Sequence, residues 1–317
     1  MNKTNIGIKV LRQCLGVKKN EGVLIITDKG KLAEADLFFK AAQKITSNAR
    51  LVMMKKLKEH GQEPPAKISQ LMVATDVVLL VTSKSLSHTQ ARRQATRKGV
   101  RIASLPEISM ETILRTLGAD YRQIKKLTVK IANFLTAGKN VEITAKNGTQ
   151  LQMSIKGRVC QADSGIYTQP GDWGNLPAGE ACLAPLEGST NGVAVIDGNS
   201  YIPEVPLEQN LVLEIKNGLV NNLWGGKAAQ ALEKKFKLLG LKARNIAELG
   251  VGTNPLAQVC ASILEIEKVY GTVHIGLGNN LSYGGKVNVP FHSDGVILSP
   301  ILKVDGKIIL EKGKFTA

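Results

Sequence analysis

The chain is short of several things. Aromatic residues make up 4% of its 317 positions, so the core is expected to be aliphatic and few rings are on hand to stack on bases. The four cysteines, Cys14, Cys160, Cys182 and Cys260, lie far apart with no CxxC pair. That argues against a zinc ribbon or a redox dithiol and for reduced, mostly buried thiols. Neither GxGxxG nor a Walker loop occurs, so nucleotide binding has no support. No apolar run suits a signal peptide, and the stretch VATDVVLLVTS is too short for a membrane span and carries Asp76. A cytoplasmic protein with no membrane partner is expected. Acids are outnumbered, 26 against 42 lysines and arginines, for a net charge of +16. Basic proteins often meet nucleic acid. Here the cations are spread along the chain in short runs such as Lys55–Lys56 and Arg92–Arg93, without aromatic company, and no nucleic-acid partner is expected.

The length suggests about two domains. EGVLIITD (21–28), RLVMM (50–54), DVVLLVTS (76–83) and VRIASLP (100–106) read as buried strands. Helical patterns cover residues 4–14, 31–47, 67–74 and 89–98. Continuous apolar strands alternating with helices predict a small, doubly wound parallel sheet, an α/β domain over residues 1–115. Residues 110–137 read as linking helix, broken near Gly118. Beyond Gly138 short strands take over, separated by Asn147–Gly148, Asp197–Gly198, Asn217–Gly218 and Asp305–Gly306 turns, with one clear helix at 228–239. A β-rich α+β catalytic domain over residues 116–317 is expected.

That second region holds what chemistry the sequence offers. Residues 248–294 carry two of only four histidines, His274 and His292, with Glu248, Glu267, Tyr283 and Asp294 in a glycine- and asparagine-rich setting. Imidazoles and carboxylates together suit a divalent ion. In an extended segment His292 and Asp294 share one face, because strand side chains repeat every two residues. The plain alternative is a set of ordinary polar loop residues. Upstream, QPGDWGNLPAGEACLAPLEGSTNG (169–192) reads as a stiff, irregular loop with Glu180 and Glu187. Five carboxylates and two imidazoles exceed one ion's needs and suit a pair, a hydrolytic design that tolerates its acids without buried lysines.

The motifs NLPAGE (175–180), PLEGSTNG (185–192), NIAELGVGTNP (245–255), EKVYGTVHIGLG (267–278) and HSD (292–294), with HGQEPP and SLSHTQARR earlier, resemble the aminopeptidase T family of metal-dependent leucyl aminopeptidases. The resemblance covers most of the chain. It implies a peptidase with two divalent ions (Zn, Co or Mn) held by Glu180, Glu248, Glu267, His274, His292 and Asp294, Glu248 bridging. It also implies Tyr283 as the oxyanion stabiliser, a peptide substrate and a homodimer. Glu187 is a candidate general base. A sheltered site between the domains is expected, which His88 could face. The chain departs from the family at Ile266, where an aspartate is usual, and between His274 and His292, where it is short.

Two other readings compete. The 2,5-dihydroxypyridine dioxygenases look like distant relatives with one iron, the His-x-Asp pair and one further histidine. That histidine would fall near Asn254–Pro255, where this chain has Gln258. Its absence, and the presence of Glu180 and Glu248, favour the peptidase. A non-catalytic binding role is the third reading, and the full set of ligands weighs against it.

Overall fold

The computed structural model of the protein describes residues 3–202, 204–260 and 262–316. The chain divides into two compact units, Met1–Gln123 with Gly165–Ala178, and Ile124–Ser164 with Gly179–Ala317. The first runs past the expected boundary at 115 and takes back part of the central segment.

The four apolar runs of the first unit form parallel strands, Val23–Asp28, Ala49–Met54, Val77–Val81 and Arg101–Ser104. A fifth, Trp173–Asn175, pairs in parallel with Arg101–Ser104. This strand draws Gly165–Ala178 into the first unit, and nothing in its Gly- and Pro-rich sequence signals it. Alternate strand residues Leu24, Ile26, Val78, Leu80 and Ile102 pack on Ile68 and Met72 of the helix Ala66–Val73 and on Ala91 and Ala95 of the helix Gln90–Arg97. Asp28 ends its strand and accepts from Gly30 N and from Ser83 N and Oγ at 2.6–2.9 Å, which explains a buried acid at a strand end. The fold is thus an α/β sheet unit and a β-rich unit, as the pattern of apolar runs and turns predicts.

The second unit has two antiparallel sheets. The larger has eight strands, joined at three places by tight turns in which both central residues have positive φ, Asn217–Gly218, Asp305–Gly306 and Lys312–Gly313. The smaller has five strands in the order His292–Ile297, Val273–Gly278, Ile246–Gly252, Glu180–Leu183, Gln161–Asp163. One face of this small sheet is apolar. Ala181, Leu183, Leu249, Val251, Val273, Ile275, Leu277 and Ile297 join a single core with residues of the larger sheet and with Leu232 and Phe236 of the helix Gly226–Leu239. Burying each of the leucine, isoleucine, valine and phenylalanine side chains stabilises the unit by roughly 1.5–3 kcal/mol.

Candidate metal centre

The other face of the small sheet carries the chemistry. Residues paired across an antiparallel ladder point to the same side. The register pairs Glu180 with Gly252, Cys182 and His274 with Gly250, Glu248 and Asp294 with Gly276, and His292 with Gly278. Every donor is therefore set beside a glycine on its neighbouring strand. The glycines clear the space. A Cβ on Gly250 would run into the His274 imidazole, and one on Gly276 would sit 2.6 Å from Glu248 Cβ and 2.8 Å from Asp294 Oδ1. The period-two glycines of GVG and GLG were the sequence signal for this floor. Within 169–192, expected to be an irregular loop, Glu180 opens a strand, Glu180–Leu183, rather than riding on the loop.

Glu248, His292 and Asp294 converge, with one ligand atom from each lying within 4.8 Å of the others. His292 Nε2 lies 3.0 Å from Glu248 Oε2 and 3.4 Å from Asp294 Oδ2. His274 Nε2 sits 3.6 Å from Glu248 Oε1 and 3.3 Å from Glu180 Oε2. Despite these approaches Glu180 Oε2, Glu248 Oε2, His274 Nε2, His292 Nε2 and Asp294 Oδ1 are buried without an aligned hydrogen bond. Buried polar atoms are rarely left so. The carbonyl of Asn279 lies 2.7 Å from His292 Nδ1, so this nitrogen donates and Nε2 is the atom turned toward the acids. Buried carboxylates crowded against imidazole nitrogens need a shared cation, which a proton on Nε2 or a metal ion in its place can supply. The donor set fits a divalent metal ion with oxygen and nitrogen ligands.

Electrostatics agree with the geometry. Burial alone would raise the Glu248 carboxyl, but the imidazoles of His274 and His292 hold it well below the usual carboxylate range. Burial alone would favour neutral imidazoles, yet Glu180 and Glu248 at His274, and Asp294 and Glu248 at His292, push both well above the ordinary histidine range. Cys182 also lies within reach of Glu180 and Glu248. Burial, reinforced by those acids, raises the thiol well above the ordinary cysteine range. Cys14 and Cys160 are buried thiols too, and Cys260 is partly exposed.

The other predicted residues fall into two groups. Tyr283 ends a short turn, Leu281–Tyr283, and its ring stacks on His292 with centroids 5.0 Å apart and planes at 23°. Glu187 is committed elsewhere: Oε2 accepts from Arg158 at 2.6 Å, and Oε1 from Asn280 Nδ2 and Lys286 N at 2.9 and 2.8 Å. Those partners hold its carboxyl below the ordinary range although burial alone would raise it. A carboxylate so engaged ties down the loop that carries Tyr283 and has no oxygen left over for general-base work. His88 lies in the first unit, its ring edge-on to Trp173 at 6.2 Å.

One residue escaped the sequence reading. Lys268 is 1% exposed and lies among the acids. Its Nζ bonds Glu180 Oε1, lies 2.9 Å from Glu267 Oε1 and stands 3.9 Å from Asp163 Oδ2. Burial alone would lower the ammonium's pKa, but Glu180, Glu267 and Asp163 hold it well above the usual lysine value. Glu267 is itself pushed up to about 7, by burial above all. The expectation that the acids need no buried lysine is therefore incorrect. The only hint in the sequence is the adjacency Glu267–Lys268, and adjacency alone does not say which way a side chain turns.

The fold and its cluster define a metalloenzyme-like centre on an antiparallel sheet. The chain matches the family described as NicX, 2,5-dihydroxypyridine 5,6-dioxygenase, over residues 4–317 and belongs to it. A curated relative, the 2,5-dihydroxypyridine 5,6-dioxygenase of Pseudomonas putida, is 24% identical over 251 residues, which cover 75% of this chain and 71% of the relative. The structure of 2,5-dihydroxypyridine dioxygenase from the same organism superposes with a TM-score of 0.84 at 20% identity, covering 99% of this chain and 97% of that one. Wild-type AmpT from Thermus thermophilus superposes with a TM-score of 0.76 at 15% identity, covering 100% and 99%.

The aminopeptidase T resemblance thus holds for the fold, and the activity drawn from it is corrected. Family membership points to a dioxygenase, an oxidoreductase rather than a hydrolase, which overturns the peptidase activity and with it the pair of zinc, cobalt or manganese ions and the peptide substrate expected from that resemblance. No helix among the described residues is long and apolar enough to cross a membrane.

Proposed function

We propose that the protein is a mononuclear iron dioxygenase that opens a small hydroxylated aromatic ring, a hydroxypyridine or a close analogue. The observation that carries this reading is the family match along residues 4–317. The cluster of unpartnered imidazole and carboxylate atoms supports it. His292, Asp294 and Glu248 would hold the ion, with His274 as the second imidazole, a set of nitrogen and oxygen donors of the kind that non-haem iron oxygenases use. The missing histidine near Asn254–Pro255 then no longer counts against the dioxygenase, because His274 brings an imidazole from the neighbouring strand.

When bound, iron supplies the one-electron chemistry that lets dioxygen react with a ring. The chain's own groups position. The Asn279 carbonyl fixes the tautomer of His292. The ring of Tyr283 holds the His292 plane from one side. Burial, reinforced by Glu248 and Asp294, keeps the Tyr283 phenol protonated, so it can donate to a substrate oxygen. Glu187 and Arg158 anchor the loop that brings Tyr283 to the ring.

The test is oxygen consumption by protein loaded with iron(II) under anaerobic conditions and then given 2,5-dihydroxypyridine and air. One dioxygen taken up per ring lost, with both oxygen atoms found in the ring-opened product after labelling, is the expected result. No uptake with a panel of dihydroxypyridines would sink the reading.

A further inference from the structure

We infer that Lys268 is a fixed cation standing where a second metal ion would otherwise be bound, and that it limits the centre to one ion. The inference rests on the metal centre described above, and not on which metal is bound or which reaction follows.

Five carboxylates line this part of the small sheet: Asp163, Glu180, Glu248, Glu267 and Asp294. They form two groups. Glu248 and Asp294 face His292 and leave oxygens unpartnered. Asp163, Glu180 and Glu267 face a single point, and that point is Lys268 Nζ. An ammonium has three donors, and three carboxylates surround this one. Glu180 spans the groups. Oε1 takes the ammonium while Oε2, buried and without a hydrogen bond, turns to His274 at 3.3 Å. A carboxylate with one oxygen on each of two cations is the arrangement of a bridging ligand, here between a metal position and an ammonium.

The lysine is built in. Its backbone N–H donates to Glu265 O at 3.0 Å, and its carbonyl accepts from Asn254 N at 2.9 Å. On the neighbouring strand Gly252 leaves room for this backbone, since a Cβ there would run into Val269 O and lie 2.9 Å from the Lys268 carbonyl carbon. Removing one member of a buried ion cluster leaves its partners uncompensated. Three carboxylates converging in the absence of an ammonium are oxygen ligands for a small divalent ion.

The experiment counts ions. Wild-type protein and the variants Lys268→Ala, Lys268→Met and Lys268→Arg are titrated with manganese(II) by calorimetry, and metal is measured by elemental analysis after desalting. Manganese resonance spectra report whether two ions are coupled. Wild type and Lys268→Arg are expected to hold one ion per chain, and Lys268→Ala two, with the spectrum of a coupled pair. Lys268→Met keeps the side-chain volume and is expected to hold one ion, with a second only at higher manganese. A wild type that holds two ions overturns the inference without recourse to any variant. So does Lys268→Ala holding a single ion while its circular dichroism and thermal transition remain those of a folded protein. Should Lys268→Ala fold only with manganese present, a second saturable step in its thermal stability supports the inference, and a single step overturns it. Wild type with one ion and no oxygen uptake would sink the dioxygenase reading and leave this one intact. Oxygen uptake with one ion in both wild type and Lys268→Ala would do the reverse.

Discussion

The two ends of the acidic floor look alike in composition and behave differently. At one end Glu248, Asp294 and His292 crowd together with oxygen and nitrogen atoms that satisfy no hydrogen bond. At the other Asp163, Glu180 and Glu267 close on Lys268. Counting carboxylates treats these ends as equal and arrives at two ions. Charge compensation separates them, because a buried acid that already has an ammonium has little to gain from a second cation, while one matched only by an imidazole proton that a metal ion can displace has more.

The comparison breaks most visibly at His292. His292→Ala removes the one imidazole whose nitrogen faces both Glu248 and Asp294. Iron retention after desalting should fall by about 100-fold or more, since even groups behind the ligands cost 10–100-fold. Retained iron would move the centre to the other end of the floor.

Gly276→Ala tests the space rather than the ligands. The added methyl meets Glu248 Cβ at 2.6 Å and Asp294 Oδ1 at 2.8 Å. A loss of about 1–3 kcal/mol in thermal or denaturant unfolding is expected, as for other overpacked sites. Weaker iron binding should accompany it, while the Lys268 end is left undisturbed.

A pH series sharpens the contrast in charge. His274 and His292 are held protonated by their acids, against the effect of burial. A metal takes the neutral imidazole, so binding must release protons and iron affinity must rise with pH through and above the ordinary histidine range. Calorimetry in buffers of different protonation enthalpy counts those protons. Affinity independent of pH would mean that neither imidazole is a ligand.

The smallest effect belongs to Glu187→Gln. It keeps a partner for Asn280 but loses the charge on Arg158. The Tyr283 loop should loosen, lowering turnover several-fold with iron content unchanged. A loss of iron would place Glu187 nearer the ion than the structure does.

How far the sequence could be read depended on the kind of signal. Parallel strands such as VVLLV announce themselves because both faces are buried. The Asn217–Gly218 and Asp305–Gly306 turns were legible because their backbone favours those residues. His292 and Asp294 could be placed on one face by strand period alone. Trp173–Asn175 could not be foreseen, since its three residues owe their strand form to the edge of Arg101–Ser104. Nor could the commitment of Glu187 to Arg158, 29 residues away.

By itself the sequence determined the two-part architecture, the aliphatic cores, and a supply of imidazoles and carboxylates in one region, because periodicity and turn chemistry are local properties. Only the tertiary structure decided which acids share a cation. That depends on where the Lys268 side chain turns and on which strands bring Asp163 and Glu180 alongside it, contacts that span up to 105 residues between Asp163 and Lys268. Electrostatic energy depends on distance in space, and spacing along the chain does not fix that distance.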